Sequence, residues 1–382
     1  MQDLKQTRPR IYFENLDALR FFCFLLVFLF HSFYTLSPEI LSDPLYQFVK
    51  HRIFGNGNLG VNFFFVLSGY LITYLLLEER LLFGRIDIPR FWLRRILRIW
   101  PLFFACVFAG FYVFPFIKTL FGEHSNERAH LWSYLTFTNN FDYITYGTDA
   151  SVLSVLWSIA VEEQFYFFWP LIVAITPKGR HWLSFSLILL GTLVFRGIVD
   201  DPRILEYHTL SCIGDMTIGA LGALWVVEYG GAQSIGGWSK NALRICYAGV
   251  VVVFLFKDEL FHNLYILKVI ERMIIACLFL VVILEQCFGK SLKHGLGQFK
   301  TISKLGVMTY GLYCLHFWGI LIATRFTDLL QFNSKMWQII FVDTTLALLI
   351  TLLLGYVSYQ WLETPFLRLK SRFGWIDTLK QS

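Results

Sequence analysis

Arg20 and His31 stand eleven residues apart in an otherwise apolar run. Eleven helical steps of about 100° overshoot three whole turns by only about 20°, so both side chains share one face, about 16 Å apart along the axis. An imidazole in such a setting can take the proton of a hydroxyl or accept an acyl group itself. It can also be a buried ring hydrogen-bonded to a neighbouring helix, just as Arg20 can snorkel to the headgroups. A second cluster, Glu162 and Glu163, lies in Leu156-Trp157-Ser158-Ile159-Ala160-Val161-Glu162-Glu163-Gln164-Phe165-Tyr166. Adjacent carboxylates on a helix point about 100° apart, so at least one must face the bundle interior. Glu162 is expected about 9 Å from the outer end of its helix, near the depth of His31. A carboxylate there would fix the tautomer of the imidazole and raise its basicity; a structural salt bridge is the plainer alternative. A third cluster is basic: Arg90, Arg94, Arg95 and Arg98. Arg95 and Arg98, three apart, share a face. Their forks suit the phosphates of a cytoplasmic ligand, and an anchor on anionic lipid would use the same residues.

Other polar groups in apolar surroundings are His316, Tyr313, Asp215, Glu271 with Arg272, and Glu363 before Thr364-Pro365. Glu271 and Arg272 are expected to pair between helices. Ser68 lies between Gly60 and Gly69, small residues that permit close helix approach, but without the G-x-S-x-G elbow of a nucleophilic serine. The chain has no H-E-x-x-H, Walker A or dinucleotide motif, and its 7 cysteines form no paired motif. They are read as small apolar core residues, with no metal site expected.

The elements that must carry these groups follow from composition. Of 382 residues, 56% are hydrophobic and 16% charged, and mean hydropathy is +0.56. A soluble domain carries about 25% charge, so this chain is expected to be an all-α polytopic membrane protein. Ten apolar segments are predicted as spans: 16–36, 60–80, 100–120, 156–176, 182–199, 210–229, 243–257, 264–288, 306–326 and 337–362. With the N-terminus inside, the inner segments hold 21 Lys and Arg and the outer loops 9. The positive-inside rule then favours ten spans with both termini cytoplasmic. This asymmetry accounts for the net charge of +6 through contact with membrane lipid, and no nucleic-acid partner is expected. The first apolar run lacks a cleavage pattern. Residues 1–15 are expected to form a cytoplasmic arm, 16–363 a single transmembrane domain and 364–382 a cytoplasmic tail, with no soluble domain at either end. The stretch 121–155 is the longest outside the spans and holds Trp132, Tyr134, Asn139, Asn140, Asp142 and Tyr143; a loop of that length is either functional or floppy.

Taken together, the blocks resemble acyltransferase family 3, the integral-membrane O-acyltransferases. Arg20 through His31 matches the family's first-helix arginine–histidine spacing. Gly60-Val61 through Ser68-Gly69-Tyr70 resembles its second-helix signature. Arg95-Ile96-Leu97-Arg98 with Pro101, the Trp157-Ser158 to Tyr166 block, Tyr310 through His316, and Glu363-Thr364-Pro365-Phe366 follow in the family's order, with Ile159 and Thr309 as conservative departures. The resemblance implies ten helices in a bacterial inner membrane and transfer of an acyl group, usually acetyl from cytoplasmic acetyl-CoA, to a carbohydrate hydroxyl. It casts His31, Glu162 and Glu163 as catalytic, Arg20, Arg95 and Arg98 as donor-binding, and His316, Tyr313, Glu363 and Ser68 as secondary. Some members carry a further C-terminal esterase-like domain, which is not expected here.

The expected reaction is deprotonation of a sugar hydroxyl by His31, with Glu162 beside it, or transient acylation of His31; the sequence leaves both open. The acceptor could be lipopolysaccharide, peptidoglycan, another surface glycan, a lipid-linked precursor or a small molecule, and a homo-oligomer is possible. Ten helices with buried His, Glu and Arg would also suit a transporter or flippase for such a precursor, or a membrane scaffold.

Overall fold

A computed structural model describes residues 13–289, 295–371 and 373. Among them every regular element is helical. Ten rods occupy the ten predicted segments: α1 (Glu14–His31), α2 (Leu59–Phe83), α3 (Ile88–Leu120), α4 (Trp157–Ile175), α5 (His181–Ile198), α6 (Thr209–Glu228), α7 (Lys240–Phe261), α8 (Tyr265–Phe288), α9 (Thr309–Leu329) and α10 (Gln338–Lys370). Six are long and apolar enough to cross a membrane, or seven if α9 is joined to the short helix Lys300–Val307 across an 80° bend. The remaining three carry charge along their length, including Asp17 and Arg20 in α1 and Arg272 and Glu285 in α8. The chain is therefore a multi-pass, all-helical membrane protein.

Local chemistry sets the helix limits. Gly84, at φ 73°, closes α2 with its N–H on the Arg80 carbonyl, the left-handed cap that glycine tolerates best. Asp87 then caps α3 by accepting from the Arg90 N–H at 3.1 Å, and Pro89 fits the first turn. The third helix thus begins twelve residues before the predicted span, and Arg94, Arg95 and Arg98 ride on its first turns. The first helix ends at His31, short of the predicted 36, because Ser32 is extended and Phe33 takes φ 64°. Lys50 stabilises this stop by donating to the carbonyls of Phe30 (2.9 Å) and Ser32 (2.5 Å), a cation at a helix C-terminus.

Helix contacts depend on glycine where backbones meet. A Cβ on Gly69 would lie 1.9 Å from the Met216 carbonyl oxygen, and one on Gly219 would lie 2.0 Å from that of Val66. α2 and α6 therefore cross backbone to backbone, the close approach expected around Gly69. Beside this crossing Arg272 binds Asp215 at 2.7 Å and Asn62 donates to the same carboxylate oxygen at 3.1 Å. Glu271 pairs with Lys257 at 3.6 Å. Both members of the 271–272 pair therefore bridge helices as expected.

The 121–155 stretch is ordered by short helices (Leu131–Leu135, Asn139–Tyr146, Ser151–Ser154) and folds back onto the bundle. Gln164 of α4 donates to the Phe137 carbonyl (2.7 Å) and to Asn140 (2.9 Å), and Asn140 donates to the Tyr207 carbonyl (3.1 Å).

Candidate functional site

His31, the last residue of α1, opens onto a cavity at the end of the bundle away from the arginines. The cavity has a volume of about 100 Å³ and is lined by His31, Asn58, Tyr143, Trp157, Glu206 and Tyr207 among others. Behind His31 lies His316 of α9, with 0% of its surface exposed. The rings stack with centroids 5.1 Å apart, and His31 Nδ1 is 3.1 Å from His316 Nε2.

Hydrogen-bond accounting orients both rings. His316 Nδ1 lies 2.6 Å from the Tyr313 carbonyl. A carbonyl only accepts, so this nitrogen carries the hydrogen. In the neutral ring Nε2 is then an acceptor and takes the Nδ1–H of His31. The nitrogen left to His31 is Nε2, with a free lone pair on the cavity side. Backbone, His316 and His31 thus set the tautomer of the residue that meets the cavity, the arrangement a general base needs.

The expected partner for His31 was Glu162, and the structure corrects that pairing. Glu162 faces α2, where Ser68 donates to it at 2.6 Å and Tyr166 donates to Ser68 at 3.1 Å. α4 turns this carboxylate towards Ser68, while the ring of His31 is turned towards α9. Glu163 points towards α3 and accepts from Trp100 Nε1 at 2.9 Å. Tyr313 joins the pieces: its hydroxyl is 2.7 Å from Ser158 Oγ, its ring lines the cavity, and its carbonyl holds His316.

The arginines gather at the other end. Lys370 lies within Coulombic range of Arg98, Arg95, Arg94 and Arg20. Asp17 lies 2.5 Å from Arg20, and Glu79 lies 3.4 Å from Arg94. Among the described residues Arg95 and Arg98 make no ion pair or hydrogen bond. The Arg95 guanidinium stacks over the rings of Phe91 and Tyr166, 5.5 Å from each centroid, and its Nε is buried without an acceptor. Arg95 and Arg98, the two members of this cluster without an ion pair among the described residues, suit a polyanion. Glu363 sits nearby in the interior and accepts from Ser358 at 3.2 Å. From this cluster a line of polar groups runs inward: Arg95 on Tyr166, then Ser68 and Glu162, then Tyr313 with Ser158, then His316 and His31.

Among the residues of this site not singled out in the sequence are Glu206, Asn58 and Lys50. Glu206 accepts from Asn58 Nδ2 at 3.3 Å and lies 3.6 Å from Arg272. Lys50 holds the end of α1. All three sit in short polar connections where no periodicity marks them; their one signal is position just before or after an apolar run. Among the described residues no group of three or more His, Cys, Asp or Glu is placed to hold a metal ion.

Comparison with known proteins adds an independent line. The chain is 26% identical to "Putative peptidoglycan O-acetyltransferase YrhL" of Bacillus subtilis, over 94% of this chain and 56% of that protein. It is 26% identical to "Peptidoglycan O-acetyltransferase OatA" of Listeria monocytogenes, over 81% of this chain and 51% of that protein. It is 27% identical to "O-acetyltransferase OatA" of Staphylococcus aureus, over 94% of this chain and 58% of that protein. The chain thus spans about half the length of the curated relatives it matches. No solved structure matches it. The family model described as "Acyltransferase domain" matches residues 13–360, and the chain belongs to that family.

Proposed function

We propose that this protein is a membrane O-acyltransferase that moves an acyl group, acetyl in the simplest case, from acyl-CoA to a hydroxyl of a cell-surface glycan or its lipid-linked precursor. The observation that carries the proposal is the oriented His31–His316 pair, which leaves a lone pair in a cavity at the end opposite Arg95 and Arg98. We take the arginine end as cytoplasmic, with ten spans in a bacterial inner membrane and both termini inside. Residues 16–363 form the catalytic domain, flanked by the arm 1–15 and the tail 364–382. The relatives named for peptidoglycan favour an acceptor of that kind over lipopolysaccharide.

Arg95 and Arg98, with Lys370 and Arg20 beside them, hold the phosphates of the donor, which supplies the acyl group as a thioester. The polar line through Tyr166, Ser68 and Glu162 gives the amides of an extended donor arm partners inside an apolar bundle. At its far end His31 Nε2 takes the proton of the acceptor hydroxyl as the oxygen attacks the acyl carbonyl. The imidazolium then returns that proton to the departing thiolate, so the histidine ends as it began. Glu162 and Glu163 tune the charge along the path. Glu363 steadies Arg98 through its nearby charge, and Ser68, Tyr313 and His316 hold the frame.

The test uses purified protein in nanodiscs, acetyl-CoA labelled in the acetyl group, and chitotriose as surrogate acceptor. Label on the sugar with release of free coenzyme A supports the proposal. Folded protein that neither binds nor consumes acetyl-CoA, and instead moves a glycan precursor across vesicles, would put a transporter in its place.

A further inference from the structure

The connection between His31 and Leu59 carries a group of large apolar side chains that nothing in the chain covers. Leu36 is 77% exposed, Leu45 53% and Phe48 54%, and Tyr34 and Leu41 lie open beside them. The connection contains the short helices Pro38–Leu41 and Pro44–Gln47, the second running on into the π-helix Phe48–Ile53. Asp43 starts that second helix by accepting from the N–H groups of Leu45 (2.8 Å) and Tyr46 (3.2 Å). At about 100° per residue its side chains divide into three faces. Leu45 and Phe48 share an exposed apolar face, Gln47 and His51 an exposed polar one, and Tyr46 and Lys50 turn to the protein. Single exposed apolar residues are ordinary; a set gathered on one face of an amphipathic segment marks a contact.

The inner face grips the backbone around His31. Lys50 donates to the carbonyls of Phe30 (2.9 Å) and Ser32 (2.5 Å), and the Tyr46 hydroxyl donates to the Phe33 carbonyl (2.6 Å). Phe33, Ile40, Tyr46 and Ile339 form a buried cluster of their own, which seats the connection on the first turn of α10. That turn is flanked by Trp337 and Phe341, both exposed, on a span whose apolar length is mostly open to lipid. The connection therefore adjoins a lipid-facing helix where it enters the membrane. Open aromatic side chains at that level, Tyr34 and Trp337, are what the border between headgroups and acyl chains favours.

From this arrangement we infer that residues 34–48 are an interfacial element whose partner is membrane lipid. Leu36, Leu41, Leu45 and Phe48 lie in the headgroup–acyl boundary at the His31 end, and this contact holds the last turn of α1, with His31, at that depth. Tyr46 and Lys50 are the positioning residues that pass the contact on to the α1 backbone. The lipid contact stands without the acyltransferase reading; its effect on transfer rests on that reading.

Photo-crosslinking of the full chain in vesicles of phosphatidylcholine and phosphatidylglycerol tests the contact. Leu45→p-benzoylphenylalanine is expected to give phospholipid adducts by mass spectrometry, as is the same change at Leu187, an exposed residue of α5. At Gln47, on the polar face, adducts should be far fewer. A cross-link from position 45 to a second copy of the chain overturns the inference. So does the absence of lipid adducts there when position 187 gives them, or an equal yield at positions 45 and 47. Leu45→Ser combined with Phe48→Ser should lower kcat for acetyl transfer to chitotriose about tenfold, with the KM for acetyl-CoA unchanged. Leu45→Met with Phe48→Leu, which stay apolar, should restore it. Wild-type kcat in folded L45S/F48S protein overturns the positioning role and leaves the acyltransferase reading standing. Lipid adducts at position 45 in folded protein that transfers no acetyl support the lipid contact and remove the acyltransferase reading.

Discussion

Replacing His316 with leucine removes one of two acceptors of the His31 ring, the other being the Val27 carbonyl one turn back. The ring is wholly buried, does not line the cavity, and meets His31 at 3.1 Å. The net loss of one hydrogen bond is about 0.5–1.5 kcal/mol. In H316L the His31 ring is free to settle on the Val27 carbonyl or to change tautomer, and turning or switching takes the lone pair from the cavity. The productive population, and kcat with it, should fall by the same free energy, about 2- to 12-fold. That is less than the loss of a general base, about 10²–10⁴-fold. His316→Gln, whose side-chain oxygen can again accept, should recover part of the loss. The assay is transfer of labelled acetyl to chitotriose at saturating donor, with thermal unfolding followed to confirm the fold. Folded H316L with activity within twofold of wild type would refute the orienting role. H316L more damaged than H31A would mean that His316 is the reacting base.

Other expectations follow from the same geometry. Arg98→Gln and Arg95→Gln should each raise the KM for acetyl-CoA about 12- to 140-fold, as charged hydrogen bonds of about 1.5–3 kcal/mol are lost; an unchanged donor KM would remove the arginines from the site. Gly69→Ala places a Cβ 1.9 Å from the Met216 carbonyl and should cost about 1–3 kcal/mol or more by overpacking, read as a lower unfolding temperature, whereas Gly191→Ala, with open space at that point, should not. Burial holds Lys50 down at about 8, so the charge that closes α1 should be lost as pH rises through about 8, and transfer should decline there. Lys50→Arg should move that decline upward in the pH–rate profile. Stability should respond in the opposite sense: the folded pKa lies below the unfolded one, so unfolding takes up protons between about pH 8 and 10.5 and stability rises across that window.

That the chain is helical and crosses a membrane several times was legible because apolar length is a local property. The blocks that hold His31, Arg95 and Arg98 were legible as residue types in a family's order, and the match over residues 13–360 agrees with that family. Partnership was not. His31 and His316 are 285 positions apart, and nothing near either residue encodes which helix faces which. Glu162 shows the cost of reasoning from depth alone: a similar level in the bundle did not bring it to His31, because α4 turns it to Ser68. Glu206 was missed for another reason. It lies in the short helix Pro202–Tyr207, among polar residues where a carboxylate is unremarkable until the fold sets it against a cavity. The bend between Val307 and Thr309 likewise interrupts an apolar run without a proline, and beside it Gly306 lies against the Asp17 backbone, where a Cβ would be 1.8 Å from the carbonyl oxygen.

The central claim is that the free lone pair of His31 does the proton transfer. The most direct measurement compares wild type and H31A, both shown folded in nanodiscs, for acetyl transfer from labelled acetyl-CoA across a pH series. The expected result is a fall of about 10²–10⁴-fold in kcat, acetyl-CoA binding retained at the arginine end, and loss of the pH dependence that a titrating base imposes. Folded H31A that keeps full transfer, or that loses donor binding in step with turnover, would contradict the account.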